Sequence, residues 1–288
     1  AKGDWLMAAE LFARLHMLHE EAATFKKDTK RLGDRLSMLR LYVPKRLYDL
    51  RSARRAEDKL PALPAYNANG EAFEPKLQGI TPSMILQALR PASRLHVERT
   101  TMRSLLLGGL DAIKTMVTTH DLEAAFPGIA QKDSVDKLVA FIDGAEAKLQ
   151  GDNGVVSDFA ASEIITQLLE TNNATVKILD QAILHEFGNG AFSHLDDFSQ
   201  LVWPDEVARF RRMTQGSFIG VGIQIQMDDE RQMIKIVMPL EGTPAQRAGV
   251  KAGDLIKKIG GVDATGMSLD QAVEQITGKA GSPVTLVV

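Results

Sequence analysis

The chain contains no cysteine in its 288 residues. Disulfides, a thiolate nucleophile and cysteine-bound zinc are excluded together, while the redox compartment is left undecided. It also lacks any run of about 18 apolar residues, so no segment is expected to span a membrane. A large excess of either charge is missing as well, with 34 Lys and Arg against 37 Asp and Glu. The net charge is −3, which provides no global field for nucleic acid. There is no initial methionine and no visible signal peptide. The start, Ala-Lys-Gly-Asp-Trp, implies an N-terminus cut off or left out.

What is present is an ordinary globular composition, 44% hydrophobic, in a chain long enough for two domains or more. Residues 5 to about 57 read as helix, with Leu6, Leu11, Leu15, Leu18, then Leu32, Leu36 and Leu39 recurring at three and four. Lys26 to Arg55 is markedly basic, which fits a solvated helical face or an anionic partner. Residues 60–92 change character, and "LPALPAYNANGEAFEP" reads as a loop. Residues 95–200 return to helical periodicity. Ser134 is predicted to cap one helix, and "GDNG" at 151–154 to end it. Two segments echo each other faintly, "LLLGGLDAIKTMV" (105–117) and "ILDQAILHEFGNGAFSHL" (178–195). From about residue 216, short β-branched runs alternate with glycine turns: "GIQIQM", "MIKIVM", "DLIKKIGG" and "SPVTLVV". One helix interrupts them, from Ser268 to Thr277. The expected class is α+β. A helical region spans 1–205, with sub-parts 1–60 and 93–205 joined by a proline-rich loop. A linker helix covers 206–215, and a small, mostly β domain covers 216–288.

Several catalytic patterns fail on inspection. "SVDK" (134–137) fits Ser-x-x-Lys but fits a helix start better, and no partner motif accompanies it. "ITGKAG" lacks the earlier glycine and the Ser or Thr of a phosphate loop. His16 and His19 are spaced by three, not in the His-Glu-x-x-His zinc arrangement. Asp196-Asp197 reads as a helix end or turn. No metal and no cofactor is expected.

The stretch "GSFIGVGIQIQ" (216–226) is more informative. A glycine-rich turn entering a strand can leave backbone N–H groups pointing into one hollow, a nest that binds an anion without a charged side chain. An extended peptide can pair with the free edge of the strand that follows, its terminal carboxylate falling into the nest. Gly220 and Gly222 allow the close approach, and Phe218, Ile219, Val221 and Ile223 can line a pocket for the last side chain. Helix 268–277 can supply the second wall. Leu269, Val273 and Ile276 share one stripe, and Ala272 is small enough to pack inward. Gln224 and Gln226 should point away from Ile223 and Ile225, toward alternate peptide side chains or solvent. Arg211 and Arg212 are either water-mediated carboxylate contacts or solvated surface charges.

Residues 216–288 resemble a PDZ domain of bacterial type, a partly open β-barrel with a groove helix. "GVGI" stands as the carboxylate loop, followed by "GTPAQRAGVKAGDLIKKIGG" and "MSLDQAVEQITGKAGSPVTLVV". The resemblance extends upstream. "ILHEFGNGAFSHLDDFSQLVWPDEVARFRRMTQGSFIGVGIQI" is similar to the approach to the PDZ domain in carboxyl-terminal processing proteases, also called tail-specific proteases. Leu195-Asp196, Phe198-Ser199, Pro204-Asp205-Glu206 and Gly216 to Gly222 carry it, with Asp197 where that family usually has proline. The first 90 residues resemble no part of the family.

The resemblance implies a serine peptidase with a Ser/Lys dyad in a domain that follows the PDZ domain. The PDZ domain would capture apolar C-termini of protein substrates and gate the protease. No nucleophile loop or lysine motif occurs in these 288 residues, so no catalytic residue carries over, and the catalytic domain is expected to lie beyond Val288. Family members also assemble through helical ends, which points to the N-terminal helices as a self-association element. The family acts mostly in the periplasm or cell envelope. Two other readings are open: a complete, non-enzymatic PDZ adaptor whose helical domain binds a partner, and a chain whose basic helices bind a membrane surface or nucleic acid.

Overall fold

Two glycine-bearing helices pack tightly against each other, and they are the two segments that echo each other in sequence. The computed structural model describes residues 7–8, 23–66, 68, 72–95, 100–193, 195, 199–207, 210–211, 220–228, 231, 233–267, 269–279 and 281–288. It divides into two compact units, residues 1–47 with 72–207, and residues 48–71 with 208–288.

In the first unit the helices are α1 (Ala23–Tyr42), the start of α2 (Pro44–Glu57), α3 (Glu74–Leu77), α4 (Pro82–Leu95), α5 (Met102–Val117), α6 (Lys132–Gly151), α7 (Asp158–Ala174) and α8 (Asp180–Phe192). Leu105, Leu106, Leu110, Ile113 and Met116 of α5 are fully buried, as are Ile183, Phe187 and Ala191 of α8. A Cβ added at Gly190 would lie 2.3 Å from the Ala112 Cβ and 2.5 Å from the Gly108 carbonyl oxygen. At Gly109 it would meet the Phe187 ring at 2.7 Å. The glycines are there for proximity: without side chains the two backbones approach, and the Phe187 ring fills the space that remains.

A polar network ties α1 and the 199–207 segment to α8. The Tyr42 hydroxyl donates to Glu186 Oε1 at 2.8 Å, and His185 Nδ1 lies 2.8 Å from the same oxygen. The Trp203 ring packs on His185 at 4.6 Å and its Nε1–H donates to Asn189 Oδ1 at 3.0 Å. Burial, reinforced by Glu186, holds the Tyr42 phenol well above its usual pKa, so it keeps its proton and remains the donor.

Three expectations need correction. The 5–57 helix, of which residues 5–6 and 9–22 lie outside the described residues, is interrupted at Val43. Pro44 opens α2, where its missing N–H costs nothing. Helix α4 occupies part of the 60–92 segment read as loop. Its apolar residues Ile85 and Leu89 recur at four and are buried. Pro82 starts it, and Pro91 sits inside on an exposed position. Ser134 does not cap α6. The N-cap is Gln131, three residues earlier, and the Ser134 Oγ donates to Gln131 Oε1 at 3.3 Å. The end of α6 at Gly151 agrees with the "GDNG" stop.

In the second unit the proline-rich stretch folds back on α2. Tyr48 donates to the Pro64 carbonyl at 2.5 Å, its ring packs on Tyr66 at 5.1 Å, and Arg55 Nε donates to the Pro61 carbonyl at 2.7 Å. The strands are β1 (Ile223–Asp228), β2 (Met233–Pro239), β3 (Leu255–Ile256), β4 (Lys258–Ile259), β5 (Val262–Asp263) and β6 (Leu286–Val287), with a one-turn α9 (Pro244–Arg247) and α10 (Leu269–Ile276). They form two antiparallel three-stranded sheets, ordered β1-β2-β3 and β5-β4-β6. Ile234, Ile236, Ile256, Ile259, Ala264, Met267, Ala272 and Ile276 make one core between the sheets and α10. The whole molecule is therefore α+β: a helical N-terminal region followed by small antiparallel sheets.

Candidate functional site

The site begins at Gly222. Its φ is +79°, and a Cβ there would lie 2.3 Å from both the Cβ and the Cγ2 of Thr243. Only glycine satisfies both conditions. The close approach is used for hydrogen bonding. Leu240 N–H donates to the Gly222 carbonyl at 2.8 Å, and Ala245 N–H donates to the Val221 carbonyl at 2.9 Å. The Thr243 hydroxyl lies 3.1 Å from the Gly222 carbonyl and 2.6 Å from that of Leu240. The supporting loop is itself braced: Gly242 N–H donates to Gln246 Oε1 at 2.8 Å, and Arg247 Nη1 donates to the Gly242 carbonyl at 2.6 Å.

These bonds fix the direction of the amides. In a trans peptide the N–H points opposite to the carbonyl, and no cis bond occurs among the described residues. With the Val221 and Gly222 carbonyls turned onto the 240–245 segment, the N–H groups of Gly222 and Ile223 face away from it. The Leu240-to-Gly222 bond also brackets the Ile223/Pro239 pair. Ile223 therefore occupies a ladder position whose own N–H and C=O lie on the edge opposite β2. Among the described residues strand β1 has β2 as its one strand neighbour.

Side chains follow the pleat. Ile223 and Ile225 are partly buried against the core, and Gln224 and Gln226 are exposed. Helix α10 packs against β1 and β4. Along it, Ala272 is fully buried and Ile276 is 8% exposed within the core, Leu269 packs against the core, and Val273 stands 36% exposed. The structure thus brings Val221, Gly222, Ile223, Ile225, Leu269 and Val273 into one small unit, and it places Ile276 further in. Gly220 is exposed, with open space around its Cα. Phe218, Ile219, Arg212 and Ser268 lie outside the described residues, as do His16, His19, Asp196 and Asp197. Arg211 is exposed. Sequence reasoning missed Thr243. Its signal was present in the Gly-Thr-Pro turn, since a hydroxyl beside a helix-opening proline is well placed to bond backbone groups.

Among the described residues no group of three or more His, Cys, Asp or Glu could hold a metal, and no helix is long and apolar enough to cross a membrane.

Comparison with known proteins agrees with this geometry. Residues 209–288 match the PDZ domain model. A carboxy-terminal-processing protease of Bartonella bacilliformis is 40% identical over 109 residues, covering 38% of this chain and 25% of that protein. A carboxyl-terminal-processing protease of Picosynechococcus is 36% identical over 93 residues, covering 32% and 22%. A probable CtpA-like serine protease of Staphylococcus aureus is 32% identical over 93 residues, covering 32% and 18%. The chain thus spans a quarter or less of these curated relatives. Among solved structures, a photosystem II D1 C-terminal processing protease aligns at 21% identity with a TM-score of 0.27, over 72% of this chain and 39% of that one. That score is too low to support any argument. The chain carries a PDZ domain and is homologous, over part of its length, to the carboxyl-terminal processing proteases.

Proposed function

We propose that this chain is the substrate-recruiting and regulatory portion of a carboxyl-terminal processing serine protease whose Ser/Lys catalytic domain lies outside these 288 residues. Its PDZ domain takes the C-terminus of a protein substrate as an added strand on β1. The terminal carboxylate accepts from the N–H groups of Gly222 and Ile223. Gly220 and, by the family resemblance, Phe218 and Ile219 complete the loop. The last apolar side chain sits among Val221, Ile223, Leu269 and Val273. Ile225 and Gln224 meet residues further up the peptide, and Ile276 supports the pocket from the core. No cofactor takes part. By the same likeness the parent protein works in the periplasm or cell envelope. By that likeness too, the N-terminal helices are a self-association element.

One observation carries this reading: two backbone amides turned to the edge of β1 opposite β2, beside an apolar helix face. The likeness to processing proteases supports the rest. The test is calorimetric titration with a short peptide ending in a free apolar carboxylate and with its C-terminal amide. Leaving donors of the nest unpaired costs on the order of 1–3 kcal/mol, so the amide should bind roughly 10-fold or more weakly. Equal affinity for acid and amide contradicts the proposal.

A further inference from the structure

The register of β1 against β2 sets what stands on the outer face of the sheet, beside any strand added to β1. A C-terminus whose carboxylate meets the Gly222 and Ile223 amides lies at the start of β1. Its chain then runs back along β1 in the opposite direction. In an antiparallel ladder, facing residues alternate between pairs that exchange both hydrogen bonds and pairs that exchange none. Ile223 faces the last peptide residue and Ile225 the third from the end. Gln224 and Gln226 face the second and the fourth. Side chains alternate with the pleat. The last and third therefore turn inward with Ile223 and Ile225, which pack against the core. The second and fourth lie on the outer face with the exposed Gln224 and Gln226.

That outer face is not uniform. Gln224 pairs across the ladder with Met238, and Gln226 pairs with Lys235. Ile234 and Ile236, the neighbours of Lys235 along β2, are fully buried, so Lys235 points to the other side, as does Met238 at 48% exposed. The second peptide position thus meets an amide and a thioether, both neutral. The fourth meets an amide with a cation behind it. Lys235 has no acidic partner among the described residues. Asp228, the acid on this face of β1, is already engaged: Arg231 N–H donates to its Oδ1 at 2.8 Å, and Arg231 Nη1 lies 3.6 Å from its Oδ2.

We infer, resting on the groove proposed above, that Lys235 reads the fourth residue from the substrate's C-terminus and favours an acidic one there. The added strand and β2 are two strand spacings apart, about 10 Å. The lysine stem lies over Gln226 with its ammonium toward water, and a glutamate at the fourth position reaches back to meet it. Aspartate, one methylene shorter, gains less. The favoured substrates are chains with an apolar last residue and an acidic residue three places before it.

The test is fluorescence polarisation on the full chain, with labelled octapeptides ending X-Ala-Ala-Leu and a free carboxylate, X being Glu, Ala or Lys. The C-terminal amide of the Glu peptide is the fourth probe. An exposed ion pair contributes little, so Glu should bind about 3-fold more tightly than Ala, and Lys about 3-fold more weakly. Both differences should shrink at about 0.5 M salt. Lys235→Glu should reverse the order, and Lys235→Arg should keep it. A glutamate placed third from the end, beside Ile225, faces the groove and should gain nothing. Equal affinity for the three acids, with the amide still weaker, overturns the role of Lys235 and leaves the groove standing. A glutamate preference that Lys235→Glu leaves intact does the same. Equal affinity for the Glu peptide and its amide removes the groove, and the role of Lys235 with it.

Discussion

The α5/α8 pair and the β1/α10 pair use glycine for opposite ends. In the first, Gly109 and Gly190 remove side chains so that two helices close on each other, and nothing is left exposed to a ligand. In the second, Gly222 adopts φ +79° so that its carbonyl and that of Val221 turn inward, which turns the following amides outward. Closed packing yields stability. In the second, packing is less complete: Val273 is part-exposed and, among the described residues, β1 pairs with β2 alone, which on the proposed reading leaves room for a peptide. Glycine content alone does not distinguish the two; what lies against the missing Cβ does.

Substitutions sharpen that contrast. Gly190→Ala should have the largest effect on stability. Alanine gains up to about 1 kcal/mol of helix propensity, but its Cβ would collide with the Gly108 carbonyl and Ala112. The net loss should be on the order of 3 kcal/mol, read by urea denaturation, with peptide affinity of the surviving folded chain unchanged. Gly222→Ala should cost about 2 kcal/mol through its collision with Thr243 and its positive φ, and it should also weaken peptide binding about 10-fold or more. If Gly222→Ala binds peptide normally, the two glycine uses are not distinct.

Asp34 provides a smaller effect confined to the helical unit. Burial pushes its carboxyl up to about 6, with Glu186 and Asp111 adding to the rise and Lys30 opposing it. Unfolded, it titrates near 3.8. Below that value it is protonated in both states. Between that value and about 6 the unfolded chain gives up the proton while the folded state holds it, so the contribution to stability falls over that window and is lost once pH passes through 6. Asp34→Asn should flatten the decline between about pH 4 and pH 7 and stabilise the helical unit by about 1 kcal/mol at pH 7. The check is amide exchange in α1 across that range. A profile identical to the unsubstituted chain would remove Asp34 as its source.

The same contrast explains what was legible in the sequence. The strands of the second unit were readable because Ile223-Gln-Ile-Gln alternates with the pleat and glycines bound each run. Helix α10 was readable from Leu269, Ala272, Val273 and Ile276, although their division into core and margin depends on the sheet beneath. In the helical unit, α4 was hidden because residues 60–92 were read together as a proline-rich loop, and α4 contains Pro82 and Pro91. One opens the helix and the other lies on its solvent side, and tertiary burial of Ile85 and Leu89 decides the outcome. Ser134 was mistaken for a cap because composition cannot locate the first turn to within three residues. The direction of the Gly222 and Ile223 amides depends on Thr243 and Ala245, some twenty residues away in sequence, and no local pattern encodes it.

The most direct test of the central claim is a nuclear magnetic resonance titration of the ¹⁵N-labelled chain with the same acid and amide peptides. The account predicts that the Gly222 and Ile223 amide protons move downfield with the carboxylate peptide and far less with the amide, as charge-assisted hydrogen bonds form. Equal shifts with both peptides, or shifts that leave these two amides in place, would contradict it.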